Sequence, residues 1–316
     1  MIPWRETPLA TLVGGVVALL LVASLVGWIL HRRASSPGAR ATVDNINARI
    51  RAWWGMAALF VVSLMVGAAG SVLLFGFVSL LALREFVTLA PTRSADHRTL
   101  FWSFFVITPI QYFLVWYGWY GLFSILIPVY AFILLSVRTA ITGDTERFLE
   151  RSASVQWGLM VCVYFVSHVP ALLFLQIPGS TTYGPQLMFF LVVVVQLSDV
   201  LQFVWGKSVG RRRIAPSLSP NKTWEGFLGG VACATLIGTA LWWATPFTPL
   251  VAAGMSLVVT LMGFAGGLIM SAIKRDRGVK DYGSLIGGHG GVLDRIDSLC
   301  FSAPVFFHLT RYFYGA

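Results

Sequence analysis

The sequence predicts an all-α polytopic membrane protein of about ten transmembrane helices, with both termini on the outer side of the bilayer. Three observations carry this. The chain of 316 residues is 57% hydrophobic and 11% charged, with a mean hydropathy of +0.76, where a soluble domain would carry about a quarter charged residues. Its apolar residues gather into runs of about 20, the length that crosses a bilayer as a helix. Its basic residues fall in every second connection between those runs, as the positive-inside rule requires.

The runs cover residues 9–30, 53–69, 71–89, 100–118, 120–137, 155–175, 186–205, 226–244, 250–273 and 292–313. The first is too long for a signal-peptide core, and its positive charges follow it, so it reads as an uncleaved span. The second and third nearly merge. Gly67 and Gly70 predict a tight turn between them, with one long tilted helix as the alternative. Trp102, Trp116, Tyr117, Trp119, Tyr120, Trp242 and Trp243 sit at run ends, as an interfacial aromatic belt would. No soluble domain of ordinary length fits between the runs.

The connection after the first run holds Arg32, Arg33, Arg40, Arg49 and Arg51; the later basic segments are 84–98, 138–151, 207–222 and 274–295. Of the 23 Lys and Arg, only Arg5 and Arg311 fall on the other side. The net charge of +10 is therefore spread over short connections and does not form the continuous basic face of a nucleic-acid binder. Cys162, Cys233 and Cys300 lie inside apolar runs without disulfide or zinc spacing and read as small buried hydrophobes.

Chemistry concentrates in two segments. The first runs from Ser271 through Lys274, Arg275, Lys280 and Asp281 to Gly287, Gly288, His289, Gly290, Gly291, Asp294, Arg295 and Asp297. Asp294 and Asp297, three apart, share one helix face. Two carboxylates so placed can hold a divalent cation whose shell is completed by water and phosphate oxygens. Magnesium suits them better than zinc, because no thiolate or imidazole cluster accompanies them. Lys274, Arg275 and Lys280 can neutralise phosphate charge, and the glycines let backbone N–H groups approach a phosphate before a helix N-terminus. The plainer alternative is a solvated connector with Asp294 paired to Lys274 or Arg295. His289 is open to three readings: a general base, a phosphate donor or a turn cap.

The second segment holds Asp199, costly inside an apolar run unless paired or hydrated, then Arg211, Arg212 and Arg213, then Ser219, Pro220, Asn221, Lys222, Thr223, Trp224 and Glu225. Residues 219–223 read as a turn into a helix, with Lys222 and Thr223 placed to meet an anion. The arginine run suits anionic head groups. Asp199 has a structural hydrogen bond as its alternative role. Arg84-Glu85, at the end of the third run, reads as an ion pair or anchor.

The spacing Ser271-x-x-Lys274-Arg275, Lys280-Asp281, His289-Gly290-Gly291, Asp294-Arg295-x-Asp297 resembles the signature of the phosphatidate cytidylyltransferase (CDP-diacylglycerol synthase) family, as does the block from Ser219 to Gly226. The similarity covers about residues 197–313, with Leu83-Arg84-Glu85-Phe86 weakly similar upstream. It implies a transfer of CMP from CTP to phosphatidic acid or a similar lipid phosphate, giving CDP-diacylglycerol and pyrophosphate. It further implies a magnesium requirement, with room for a second cation, a homodimer, and a place in a bacterial inner membrane with the site facing the cytoplasm. Residues 1–50 then read as an added span with a basic cytoplasmic loop, and 51–316 as the cytidylyltransferase-like membrane domain. On this reading Asp294, Lys274, Arg275 and Lys222 are catalytic. Ser219, Thr223, Lys280, His289, Gly290, Gly291 and Arg295 hold substrate, and Asp294, Asp297, Asp199 and Asp281 hold metal. Two departures stand out: Gly267 occupies a position where the family has a metal-binding Asp, and Val200-Leu201-Gln202-Phe203 replaces the usual residues after Asp199. They point to a divergent subgroup, with Asp199, Glu225 or Asp297 as sources of the missing ligand. The rival classes are an anion transporter, motivated by Asp199, and a catalytically quiet homologue that binds nucleotide or lipid, motivated by Gly267.

Overall fold

The computed structural model describes residues 8–178, 183–285 and 290–315. Each of the ten apolar runs has most of its length in one helix. These are α1 (Pro8–Arg33), α2 (Pro37–Val66), α3 (Ala68–Leu89), α4 (Ser94–Tyr117), α5 (Tyr120–Ala140), α6 (Phe148–Phe174), α7 (Tyr183–Val209), α8 (Trp224–Ala240), α9 (Pro249–Asp276) and α10 (Leu293–Tyr314). Among the described residues eight are long and apolar enough to cross a membrane; α8 and α10 are the two that fall outside those limits. The chain is thus an all-α polytopic membrane protein.

The expected break near Gly67 is found, and two other expectations need correction. Residues 53–89 form two helices, because Gly67 adopts φ 93°, a left-handed value that ends α2 and starts α3. The first basic connection is largely helical. Ser36 accepts a hydrogen bond from the N–H of Ala39 (3.2 Å) and Pro37 opens the first turn, so α2 starts well before residue 53 and runs unbroken through residue 50. Residues 219–223 are not a turn. They form strand β2 (Ser219–Thr223), antiparallel to β1 (Arg213–Ala215), so a small hairpin interrupts the all-α pattern.

Small residues bring the helices that carry the site into close approach, the usual device where lipid offers no hydrophobic drive for helices to associate. On α8, a Cβ at Gly226 would lie 2.8 Å from the carbonyl oxygen of Gln202 on α7, and one at Gly230 would lie 2.6 Å from the Gln202 nitrogen. On α9, Gly263 and Gly266 face Ser298, Phe301 and Ser302 of α10.

The basic connections meet at one end of the bundle. Arg151, 1% exposed, places its guanidinium on both oxygens of Asp96 (3.0 and 3.1 Å), on Asp144 (3.1 Å) and on the Glu146 carbonyl (2.6 Å). Arg93 pairs with Asp144 (3.2 Å) and with Glu146. Arg277 reaches Glu150 (3.2 Å), and Arg275 donates to the Leu218 carbonyl (3.2 Å). Four of the five basic segments are therefore joined by direct contact. The charge-free connections gather at the other end, where Trp116 packs on Phe174, Phe247 on Tyr314, and the Arg311 guanidinium covers the Tyr120 ring at 3.7 Å.

Candidate active site

At the basic end, α3, α7, α9, α10 and the β-hairpin converge. The sequence dictates much of this locally. Thr223 ends β2 in extended conformation and its hydroxyl accepts from the Gly226 N–H (3.1 Å), capping α8. Lys222, one residue earlier, is thereby aimed into the space between α7, α9 and α10. The Glu225 carboxylate turns away from that space and accepts from the N–H groups of Arg211 (2.9 Å) and Arg212 (3.1 Å), which fixes the turn between α7 and the hairpin. Glu225 is thus not the source of the missing ligand. Thr223 works as a helix cap and Ser219 opens strand β2.

Asp199 of α7 and Asp297 of α10 lie within electrostatic reach of each other, both half-buried, with the Ser298 hydroxyl beside Asp199, Lys222 within reach of both acids, Arg295 within reach of Asp199, and Lys274 within reach of Asp297. Asp297 Oδ1 accepts from the Ser298 N–H (2.8 Å). A hydrogen bond from Gln196 to the Arg295 carbonyl (3.1 Å) locks α7 to α10 one turn from this pair. Burial holds the Lys222 ammonium below its ordinary range, against the opposing pull of Asp199 and Asp297. The Phe264 ring lies 4.8 Å from its nitrogen.

Asp294 does something else. Its Oδ1 accepts from Lys274 Nζ (2.8 Å), and its Oδ2 accepts from the N–H groups of Tyr282 (2.8 Å) and Gly291 (2.9 Å). With its side chain 2% exposed, it anchors the loop between α9 and α10. The alternative pairing of Asp294 with Lys274 is the one found. Asp281 is exposed and lies against Gly290. Of the four acids expected to share a cation, Asp294 is taken up by donors and Asp281 is exposed, and among the described residues no three His, Cys, Asp or Glu side chains form a metal-holding group. What remains is the Asp199–Asp297 pair.

Two expected cations are also committed elsewhere. Arg275, besides Leu218, donates to the Val279 carbonyl (2.7 Å), so it staples the hairpin to the end of α9. Lys274 is tied to Asp294. Lys280 is exposed, and the buried Arg295 Nε has no partner among the described residues. His289, Gly287 and Gly288 lie outside the described residues.

Glu85 takes the anchor reading of the Arg84-Glu85 pair, with partners that sequence reasoning did not name. From the end of α3 its two oxygens accept from the N–H groups of Val292 and Leu293, both at 2.9 Å, and so cap α10 across 207 residues of chain. A Cβ on Gly291 would lie 2.2 Å from Glu85 Oε2, so the glycine there makes room for the cap. The N–H groups of 291, 292 and 293 are thus taken by Asp294 and Glu85 and are not free for a phosphate, contrary to the role expected of Gly291. The faint signal was the Arg84-Glu85 pair at a helix end. Glu85→Ala should strand two N–H groups at a helix N-terminus, at a cost of about 2 kcal/mol. The expected reading is a Tm lower by about 5 °C in detergent. Gly291→Ala, which expels Glu85, should lower it similarly. An unchanged Tm in both would show that the cap does not hold α10.

Fold and site together define a polytopic membrane protein with acidic and basic side chains gathered at one end of its bundle. Comparison with known proteins narrows this. A sequence model described as "Cytidylyltransferase family" matches residues 47–313, and the chain belongs to that family of nucleotidyltransferases. It is 38% identical over 313 residues to "Uncharacterized protein YnbB" of Escherichia coli (strain K12), covering 97% of this chain and 98% of that one. It is 30% identical over 257 residues to "Phosphatidate cytidylyltransferase" of Bacillus subtilis (strain 168), covering 79% of this chain and 89% of the relative. A protein of the same name from Staphylococcus aureus (strain COL) is 38% identical over 124 residues, 39% of this chain and 48% of that one.

Proposed function

We propose that this protein transfers the cytidylyl group of CTP to the phosphate of phosphatidic acid. A phosphate oxygen of the lipid attacks the α-phosphorus, the bond to the β-phosphate oxygen breaks, and pyrophosphate leaves as CDP-diacylglycerol forms. The observation that carries the reading is the Asp199–Asp297 pair with Lys222 beside it, within a family of cytidylyltransferases that includes relatives named for this reaction.

The donor set fits magnesium. It offers hard carboxylate oxygens with no thiolate or imidazole, and two protein carboxylates with the rest of the shell from phosphate and water is the way that ion is usually held with nucleotides. When bound, the ion would offset charge on the phosphates. The remaining work belongs to this chain's own residues. Such a transfer needs positioning and charge offset more than a covalent nucleophile. Lys222 supplies a positive charge in a half-buried place, where it acts more strongly than in water. Glu85 and Asp294 hold the start of α10, and hence Asp297, in register. Arg211, Arg212 and Arg213 on the same end suit the anionic lipid surface.

The charge asymmetry supports placing this end at the cytoplasmic face of a bacterial inner membrane, with both termini on the far side. A homodimer, and a division into an added segment 1–50 and a catalytic part 51–316, follow from the resemblance and belong to the same proposal. Gly267 favours a second reading, a homologue that binds CTP without turnover. The test is pyrophosphate release by purified protein given CTP, magnesium and a panel of lipid phosphates. Release that depends on phosphatidic acid supports the first reading. CTP binding of ordinary affinity without release selects the second.

A further inference from the structure

Gly267 is the place to look, because what fills the space above it is already in view. An ideal Cβ on Gly267 would lie 2.8 Å from Lys222 Nζ and 3.6 Å from Ser298 Oγ. The ammonium therefore sits where a side chain at position 267 would begin, with the Phe264 ring on one side and the Asp199–Asp297 pair within electrostatic reach. It forms no contact ion pair with either acid among the described residues, whereas Lys274 does so with Asp294 at 2.8 Å. The two lysines differ in kind. Lys274 is locked onto its carboxylate. Lys222 stands off from its pair and leaves their oxygens available.

We propose that the Lys222 ammonium is a built-in counter-cation of the Asp199–Asp297 pair, seated in the space that a side chain at position 267 would take. The pair is thereby partly neutralised before any divalent ion arrives. Two neighbouring carboxylates without a cation repel each other, and a half-buried ammonium within electrostatic reach of both offsets that repulsion. The same ammonium repels an incoming divalent cation, so the empty site holds such an ion weakly. Substrate phosphates must then bring the ion in or draw the ammonium toward themselves. Gly267 belongs to this arrangement because any larger residue would unseat the lysine. The inference rests on reading the acid pair as a cation site, and it concerns the protein without nucleotide.

The test is a titration of full-length protein in detergent with Mn²⁺, in the absence of nucleotide and lipid, following free Mn²⁺ by electron paramagnetic resonance. Lys222→Met should raise Mn²⁺ affinity by about tenfold or more, because an opposing positive charge has been removed from the site. Gly267→Ala keeps every charge and pushes the ammonium out of its seat. It should raise affinity in the same direction by a smaller factor, and it covers the case in which Lys222→Met does not fold. Asp297→Asn should weaken binding in each background. Unchanged or weaker Mn²⁺ binding in both the Lys222 and Gly267 variants would overturn the proposal. Loss of the proposed transfer activity in wild-type protein would count against the function instead and would leave this titration intact.

Discussion

Asp297→Asn should lower cytidylyl transfer about a thousandfold or more while leaving the protein folded. The scale is that of removing a preorganised charged group from a phosphoryl-transfer site. The fold survives for a specific reason. Among the described residues Asp297 accepts one hydrogen bond, from the Ser298 N–H to Oδ1, and an asparagine oxygen accepts it equally well. The substitution also relieves the repulsion between Asp199 and Asp297, so the Tm in detergent without divalent ions should be unchanged or higher. Steady-state rates with CTP and phosphatidic acid, measured beside thermal unfolding, check both halves. Wild-type activity in the variant would remove Asp297 from the chemistry.

Asp294→Asn should behave differently, although the two acids lie one helical turn apart. Among the described residues the hydrogen-bond partners of Asp294 are all donors: the Lys274 ammonium and the N–H groups of Tyr282 and Gly291. Whichever way the carboxamide is turned, its NH₂ meets a donor, and Lys274 loses its charged partner in a place where its side chain is 12% exposed. Breaking a buried pair on one side costs about 3–5 kcal/mol. Activity and stability should therefore fall together, with Tm lower by about 10 °C. The loop between α9 and α10 should also become more open to hydrogen exchange. Activity lost at an unchanged Tm would instead return Asp294 to the direct cation-binding role that its spacing suggests.

The contrast between these aspartates shows what the sequence can and cannot convey. Apolar runs and alternating basic connections fix helices and their ends, because bilayer thickness and the cost of buried charge act locally along the chain. Spacing placed Asp294 and Asp297 on one helix face but was silent about what each would meet. That depends on a loop folded back from residue 282 and on α7, nearly a hundred residues upstream. The partners of Glu85 were illegible for the same reason in a stronger form, since they lie 207 and 208 residues away. Nothing in the basic segment 138–151 pointed to a partner for Arg151, yet it and Asp96 are buried and paired. The β-hairpin carries a Pro and an Asn and no alternation of apolar residues, so nothing in its pattern competes with a turn. Gly267 was visible as a missing acid; that Lys222 fills its space was not.

In the proposed reaction, nucleotide and lipid phosphates meet over Asp199, Asp297 and Lys222. This is tested most directly with CTP labelled at the α-phosphorus, incubated with purified protein, magnesium and phosphatidic acid, followed by extraction into organic solvent. Label should move into the lipid phase in step with pyrophosphate release, and Asp297→Asn should stop both. Label remaining in the aqueous phase with well-folded wild-type protein, while an active family member transfers it under the same conditions, would contradict the account.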